Sequence, residues 1–566
     1  MRKVEDILNE ILNKRGIITA EEREEYLSPK PELTYDPFLL DGMKAGVDLL
    51  ISAARSGDRI CIYGDYDADG VTASTIMACG VSQLTDDWFF YIPSRFEEGY
   101  GLNVTAIDKI IDRGANLIIT VDCGCVSASE VQYALSKGLK VIVTDHHNIE
   151  DSVSEGIVID PKKPAAFMLE EGKEPYPCQD LAGCGVAFKF IQALQRTADL
   201  PRSILTDALD MVAVGTIGDI VPLRDENRTL VKYGIAAANS GRRQSLAKLA
   251  EAISIEEITS TNIAFAIVPH INASGRMASA MSAVELFNSN DEKTIHDKVQ
   301  ELIHYNRQRK RIQEEAFEKC AEMVSGDENF IVLKVDNMHE GIAGIVAGKI
   351  KDQFQRPVII VTPSEEAGRG GEGVSLLKGT GRSVDGVNIY EVLNKHSELF
   401  IRFGGHSKAC GFLMEAGNFD RLAEGVNVDV GDLLREDPSL FHKIAETDAE
   451  ITPEDVTVEL ARELLKMAPF GEGNPEPLLI MRNVDIRNVS YMGADSTHAR
   501  FSACTPQTGE SLGRYANAAC VLFRRAQSMK PLLEGGERVD ITGTVSHQVW
   551  RGQERVQFIV EDIMRV

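Results

Sequence analysis

The stretch Arg59-Ile60-Cys61-Ile62-Tyr63-Gly64-Asp65-Tyr66-Asp67-Ala68-Asp69-Gly70 decides how this chain is read. A short apolar run is followed by three carboxylates at alternate positions. Taken alone, Asp65 to Gly70 matches the opening of an EF-hand loop, with acidic residues at positions one, three and five and Gly at six. Two features disfavour calcium. Ile76 stands where that loop needs a bidentate Glu, and the preceding run has strand character rather than that of an amphipathic helix. Because Val71 to Ala78 is compatible with helix, the stretch reads as a βα turn whose carboxylates lie at the carboxyl edge of a parallel sheet, where ligands and metals gather.

The neighbouring sequence repeats this pattern. Strand-like runs at Arg59 to Tyr63, Ala115 to Val121, Leu139 to Thr144 and Gly156 to Ile159 alternate with helical patterns such as Thr105 to Arg113 and Ser127 to Lys137. That alternation predicts a parallel sheet covered on both faces. Asp122 follows the second run and Asp145-His146-His147 the third, while Asp219 closes an apolar segment that begins near Leu209. Four segments are therefore expected to converge on one edge. Further out, Ser282 to Met323 reads as one long connector helix carrying the basic run Arg307-Gln308-Arg309-Lys310-Arg311, with no helix breaker before Gly326. A second α/β unit starts near Phe330, with strands Phe330 to Val335 and Pro357 to Val361, a Gly-rich turn at Gly368 to Gly373, and Gly404-Gly405-His406. Gly431 to Ala468 is expected to be acidic and helical, and the residues beyond Pro469 read as the short strands of a small β-barrel.

At 566 residues the chain is too long for one core, so three or four domains are expected. No signal peptide or membrane-spanning stretch is read in it, and a cytoplasmic location is expected. The ten cysteines contain no CxxC pair, only Cys123-Gly124-Cys125, and read as reduced, mostly buried thiols. A net charge of -26 advertises no basic face for a polyanion, although a carboxylate-built site adds to that excess until metal binds.

Taken singly, Asp122 or Asp219 reads as a helix cap and His147 as a hydrogen-bonded neighbour of a site. Their conjunction reads as a metal centre. Carboxylates with imidazoles select Mn²⁺, Mg²⁺ or similar ions, and the lack of paired cysteines disfavours structural zinc. Asp65, Asp67, Asp122, His146 and Asp219 carry more charge than one divalent ion needs. Two ions about 3.5–4 Å apart, bridged by one carboxylate, suit in-line displacement at phosphorus. Phosphoester hydrolysis is the expected chemistry.

The motifs Asp65-Tyr66-Asp67-Ala68-Asp69-Gly70, Val121-Asp122-Cys123-Gly124, Asp145-His146-His147 and Gly218-Asp219 resemble the four metal motifs of the DHH phosphoesterase superfamily. The Tyr-Asp-Ala-Asp-Gly variant is the form found in its RecJ family of single-strand-specific 5′→3′ DNA exonucleases. Pro93 to Gly101 resembles that family's Arg-containing Gly-Tyr-Gly loop, and Ile271-Asn272-Ala273-Ser274-Gly275-Arg276 a further motif. Lys378-Gly379-Thr380-Gly381-Arg382-Ser383 and Phe403-Gly404-Gly405-His406 resemble the accessory DHHA1 domain, and Pro469 to Pro477 the entry to an OB-fold.

The resemblance implies an α/β chain in which a parallel-sheet DHH domain is joined by a long helix to a smaller α/β DHHA1 domain, with a C-terminal OB-like β-barrel. The expected boundaries are 1–45 for an N-terminal helical segment, 46–240 for DHH, 241–328 for a helical region with the connector, 329–430 for DHHA1, and 431–566 for a helical segment and the OB-fold. It implies two Mn²⁺ or Mg²⁺ ions on Asp65, Asp67, Asp122, His146 and Asp219. His147 would sit beside the scissile phosphate, and Asp145 and Asp69 would complete the catalytic set, with Asp69 supporting the ligands rather than binding metal. Arg95, Tyr100, Arg276, Thr380, Arg382 and His406 would contact DNA, including its 5′ end, and Gly-rich turns would expose backbone N–H groups to phosphate. Trp550 and Phe558 read as base-stacking or core residues. A monomer without membrane contact is expected, with single-stranded DNA as substrate and, by family implication, a single-strand-binding protein and a helicase as partners. His270 stands where Arg is expected, Thr380 where Ser is, and Gly218 where Ala is. The rival readings are a DHH hydrolase of short oligonucleotides or cyclic dinucleotides, and a non-catalytic repair or replication scaffold.

Overall fold

The computed structural model describes residues 2–95, 98, 101–149, 156–170, 172–364, 375–441, 446–493, 495–506, 515–550 and 552–566. These fall into two compact units, one built from residues 1–93, 98–268 and 446–566, the other from 94–97 and 269–445.

The first unit is built on five parallel strands, β1 (Ile60–Gly64), β2 (Trp88–Tyr91), β3 (Leu117–Val121), β4 (Lys140–Thr144) and β5 (Ile157–Ile159), in the order β2-β1-β3-β4-β5. Every residue of β1 and β3 is buried, as a strand covered on both faces requires. Cys61, Tyr63, Ile118, Val141 and Val143 pack on one face against Ala106, Ile107, Ile110, Val131 and Ala134 from the helices Val104–Asp112 and Ala128–Ser136. The helices Met43–Ser56, Ala68–Val81 and Gly183–Ala198 also pack on the sheet. Strand β2 was not anticipated from the sequence.

The second unit holds β6 (Ile331–Lys334), β7 (Val358–Pro363), β8 (Leu376–Arg382), β9 (Phe400–His406) and β10 (Ala409–Glu415), in the order β6-β7-β8-β10-β9. Only β6 and β7 are parallel. The motifs around Thr380 and His406 therefore lie in strands, correcting the expectation of Gly-rich turns. A Cβ on Gly379 would fall 2.1 Å from the Phe412 ring, so glycine serves ring packing there. The expected single connector is also two helices, Met281–Asn288 and Glu292–Met323. The chain breaks at Ser289 to Asp291, where Asp291 caps the longer helix by accepting from the Thr294 N–H. The Gly368 to Gly373 turn lies outside the described residues.

The barrel belongs to the first unit. After the short β11 (Ala449–Glu450), the strands β12 (Leu479–Met492), β13 (His498–Pro506), β14 (Tyr515–Leu522), β15 (Val539–Trp550) and β16 (Gln553–Arg565) run in the order β12-β13-β14-β16-β15, and pairing of β12 with β15 closes the ring. Phe558 is a core residue, and the side chain of Trp550 lies outside the described set. The expected helical run from Gly431 to Ala468 is reduced to the end of Phe419–Glu436 and to Val458–Leu465. The N-terminal helix Val4–Lys14 buries Ile7, Leu8, Ile11 and Leu12 in the barrel's core, beside Leu460, Leu464 and Met481. No helix among the described residues is long and apolar enough to cross a membrane.

Candidate metal centre

Strand register alone aligns the acidic residues. Gly64 pairs with Val121, Val121 with Thr144, and Thr144 with Ile159. The next residue of each strand, Asp65, Asp122, Asp145 and Asp160, therefore leaves the same edge at the same level. Asp219 joins them differently. It caps the end of the helix Leu209–Gly218 rather than a strand, which corrects the expectation of four strand ends. That helix is buried on all sides and its sequence shows no amphipathic period, so hydrophobic pattern could not identify it.

Four groups of donors result among the described residues, one of them joining Asp122, Asp145, His146 and His147 and another Cys125, Asp145 and Asp160. Asp65, Asp67 and Asp122 place ligand atoms within 4.8 Å of one another, and so do Asp69, His146 and Asp219. Asp122 borders both, because its Oδ1 is 3.1 Å from His146 Nε2. The same nitrogen lies 3.6 Å from Asp219 and 3.8 Å from Asp69. Asp67 also caps the helix Ala68–Val81, its Oδ1 accepting from the N–H groups of Asp69 and Gly70 at 2.9 and 3.1 Å. Asp69 is held from the other side, accepting from the Gly183 and Cys184 N–H groups at 2.6 and 2.9 Å. Those donors open the helix Gly183–Ala198, whose N-terminus favours a carboxylate. Gly183 is required at this contact, since a Cβ there would meet that of Asp122 at 2.6 Å.

The electrostatics fit divalent cations. Among the described residues, both ring nitrogens of His146 and Asp122 Oδ1 are buried and find no hydrogen-bond partner, an arrangement that coordination would satisfy. Burial lowers the His146 pKa to about 4 against the pull of Asp69, leaving the ring neutral, the state in which imidazole binds metal. Burial and the charges of Asp69, Asp67, Asp65 and Asp219 push Asp122 well above the carboxylate range. Burial, with Asp69 and Asp67, raises Asp219 to about 8. These oxygen and nitrogen donors suit Mn²⁺ or Mg²⁺.

A pH dependence follows. As a metal ligand Asp219 would have to ionise, so Mn²⁺ uptake at pH 7 should release protons and its affinity should fall as pH drops below about 8. Titration calorimetry in two buffers of different ionisation enthalpy checks this; identical heats would contradict it.

Beside the donor groups, Asp145 fixes His147. Its Oδ1 lies 2.7 Å from His147 Nδ1 and accepts from the His146 N–H, while Oδ2 accepts from the Cys125 N–H at 2.9 Å. Burial opposes ionisation of both groups, yet their hydrogen bond and mutual attraction hold Asp145 far below its ordinary value and raise His147 to about 9. His147 is thus held by Asp145 with its side chain 39% exposed.

In the second unit, Arg276, Thr380 and Arg382 meet the start of the helix Glu340–Phe354. Arg276 Nη1 donates to the Gly341 carbonyl at 2.9 Å. A Cβ on Gly344 would fall 2.8 Å from Arg382 Nη2 and 3.3 Å from Thr380 Cγ2. Ala409 pairs with Arg382 on one side and His406 on the other, which sets those two side chains on one face of the sheet, two strands apart. Arg95 belongs to this unit and is half-buried, and Tyr100 lies outside the described residues. His270, read as a lost arginine, is buried near the start of the helix Val268–Met277.

Sequence reading missed Asp160 and the backbone donors of Gly183 and Cys184. Asp160 shares a cluster with Asp145 and Cys125, and burial with repulsion from Asp145 raises it to about 7. Its signal was available, an acid directly after a β-branched run. For Gly183 the signal was the Gly183-Cys184-Gly185 start of an apolar helical pattern.

Comparison with known proteins gives three family matches, to "DHH family, N-terminal domain" over residues 59–216, "DHHA1 domain" over 327–430 and "RecJ OB domain" over 447–562. The single-stranded-DNA-specific exonuclease RecJ of Bacillus subtilis is 34% identical over 558 residues, covering 98% of this chain and 67% of that protein. The Escherichia coli protein of the same name is 32% identical over 502 residues, covering 83% and 82% respectively. The crystal structure of RecJ in complex with Mn²⁺ from Thermus thermophilus superposes with a TM-score of 0.79 at 27% identity, covering 99% of this chain and 76% of that one.

Proposed function

The chain belongs to the RecJ family of single-stranded-DNA-specific exonucleases, and on that premise we propose that it hydrolyses single-stranded DNA from the 5′ end to 5′ mononucleotides in DNA repair and recombination. The observation that carries this reading is the position of Asp122 between two donor groups. Asp65, Asp67, Asp122, His146 and Asp219 would hold two divalent ions, Mn²⁺ or Mg²⁺, with Asp122 shared. Such ions, when bound, polarise a phosphoryl oxygen and lower the pKa of water.

The protein's own groups do the rest. His147, kept protonated by Asp145, donates to a non-bridging oxygen of the scissile phosphate and stabilises the charge that develops as water adds at phosphorus and the 3′ oxygen departs. Asp69, pinned by two backbone donors, supports Asp67 and the helix start. Arg276, Thr380 and Arg382 bind backbone phosphate at the start of a helix, where N–H groups and dipole favour an anion. Arg95, Tyr100 and His406 add DNA contacts. The protein acts as a cytoplasmic monomer, alongside a single-strand-binding protein and a helicase. Its ten free cysteines, nine of them buried, fit a reducing compartment.

The test is strand polarity. With Mn²⁺, a 5′-labelled single strand should yield labelled mononucleotide from the first turnover, while a 3′-labelled strand shortens progressively. Early release of a 3′ label would overturn the assignment, and a clear preference for a dinucleotide over a long strand would favour the short-oligonucleotide reading.

A further inference from the structure

Asp219 is followed by a residue that helix-end rules disfavour. The helix Leu209–Gly218 stops at Asp219, and Ile220 takes the left-handed conformation with φ 59°. That is the position after a helix C-cap, where glycine is preferred because a Cβ crowds the backbone, and Pro222 shortly afterwards is a usual sequel. Among the described residues, Ile220 is the only β-branched one with positive φ; the other non-glycine cases are Asp, Asn, Ser, Gln and Arg. Branching at Cβ makes the conformation least favourable.

Packing does not offset this strain. Ile220 is 69% exposed, whereas Val221 and Leu223 beside it are buried. Its location is informative, because Asp219 Oδ2 lies 3.6 Å from His146 Nε2. An exposed apolar side chain is thus held by strained backbone one residue from the donors. Strain of this kind is retained where the position serves a function.

We propose that Ile220 packs against the sugar and base face of the nucleotide adjoining the cleaved phosphodiester, so that the strand is gripped at the scissile step by an apolar contact as well as by charge. The proposal rests on the nuclease reading above. A nucleotide whose phosphate lies among the donors brings its sugar and base within reach of the residue after Asp219. An aliphatic contact accepts any base, since every base has an apolar face, and it needs that face unstacked, as a single strand provides.

The test uses Ile220→Gly and Ile220→Val in the full chain, with single strands that are intact or abasic at the 5′-terminal nucleotides. Ile220→Gly should lower kcat/KM on the intact strand about tenfold, and the abasic strand should cost the wild type a similar factor but cost Ile220→Gly little more. Ile220→Val should stay near wild type. Thermal stability of Ile220→Gly should be unchanged or higher, because glycine relieves the strain, and its Mn²⁺ affinity should equal that of the wild type. Wild-type kcat/KM in Ile220→Gly, or a full additional loss on the abasic strand, would overturn the proposal. A weakened Mn²⁺ affinity would overturn it too, by assigning Ile220 to the support of Asp219. If the nuclease reading itself fails, the wild type is inert in the same assay, whereas failure of this proposal leaves an active Ile220→Gly.

Discussion

Replacing Asp122 by asparagine should lower single-strand cleavage by about 10³-fold or more, the scale on which charge-stabilising groups act in active sites. Asparagine keeps the side-chain shape and tolerates the positive φ of 60° at this position, so the change isolates the charge. Metal-free Asp122→Asn should be at least as heat-stable as the wild type. In the native metal-free chain, burial and the neighbouring Asp69, Asp67, Asp65 and Asp219 disfavour the ionised carboxylate. A carboxyl whose folded pKa lies above its unfolded value contributes stability that is present at low pH and lost as pH rises through the folded pKa, about 8 for Asp219. The metal-free wild type should therefore lose stability between about pH 7 and pH 8, above the range in which the lowered pKa of His146 works in the opposite direction. Mn²⁺ should restore it in the wild type and do so far less in Asp122→Asn. Melting curves across that pH range, with and without Mn²⁺, measure each effect; full activity in Asp122→Asn would remove Asp122 from the centre.

The second large effect concerns stability alone. Glu226, fully buried in the first turn of the helix Asp225–Asn239, accepts from Tyr176 Oη at 2.6 Å, from Lys189 Nζ at 3.2 Å and from the Tyr35 N–H at 3.2 Å. Lys189, equally buried on the helix Gly183–Ala198, also donates to the Tyr35 carbonyl, and burial lowers its pKa. Glu226→Ala strands that ammonium without its counter-charge and should cost about 3–5 kcal/mol. Replacing both charges, as in Lys189→Met with Glu226→Leu, should cost less than Glu226→Ala alone, because no charge is left unpaired. Denaturant unfolding followed in the full chain checks the order, and a Glu226→Ala variant that unfolds with the wild type would contradict it. The helix that begins with the Asp69 donors runs through Lys189, so metal affinity should weaken along with stability.

Legibility in the sequence followed the range of the forces involved. Asp65, Asp122 and Asp145 were readable because each follows an apolar run whose burial makes it a strand, and a parallel sheet sends such ends to one edge. Asp219 was readable as an acid but not as a helix end, since Leu209 to Gly218 is buried on every side and shows neither period. The strands that carry Thr380, Arg382 and His406 were hidden by glycines that suggest turns locally, whereas Gly379 is set in a strand by pairing with Val361 and Phe412, both distant in sequence. Asp291 could have signalled the break in the connector, but its cap competes with a strongly helical surrounding pattern.

The N-terminal helix was legible as a helix and illegible as part of the barrel, because its partners Leu460, Leu464 and Met481 lie at the other end of the sequence. That arrangement has a consequence for biosynthesis. Ile7, Leu8, Ile11 and Leu12 are synthesised long before β16, the strand that completes the core covering them. At roughly 5–20 residues per second, this apolar face waits on the order of half a minute or longer for its partner. During that time the nascent chain carries an uncovered apolar stripe that the finished barrel buries, and chaperones that grip apolar surface should bind it only while the protein is being made.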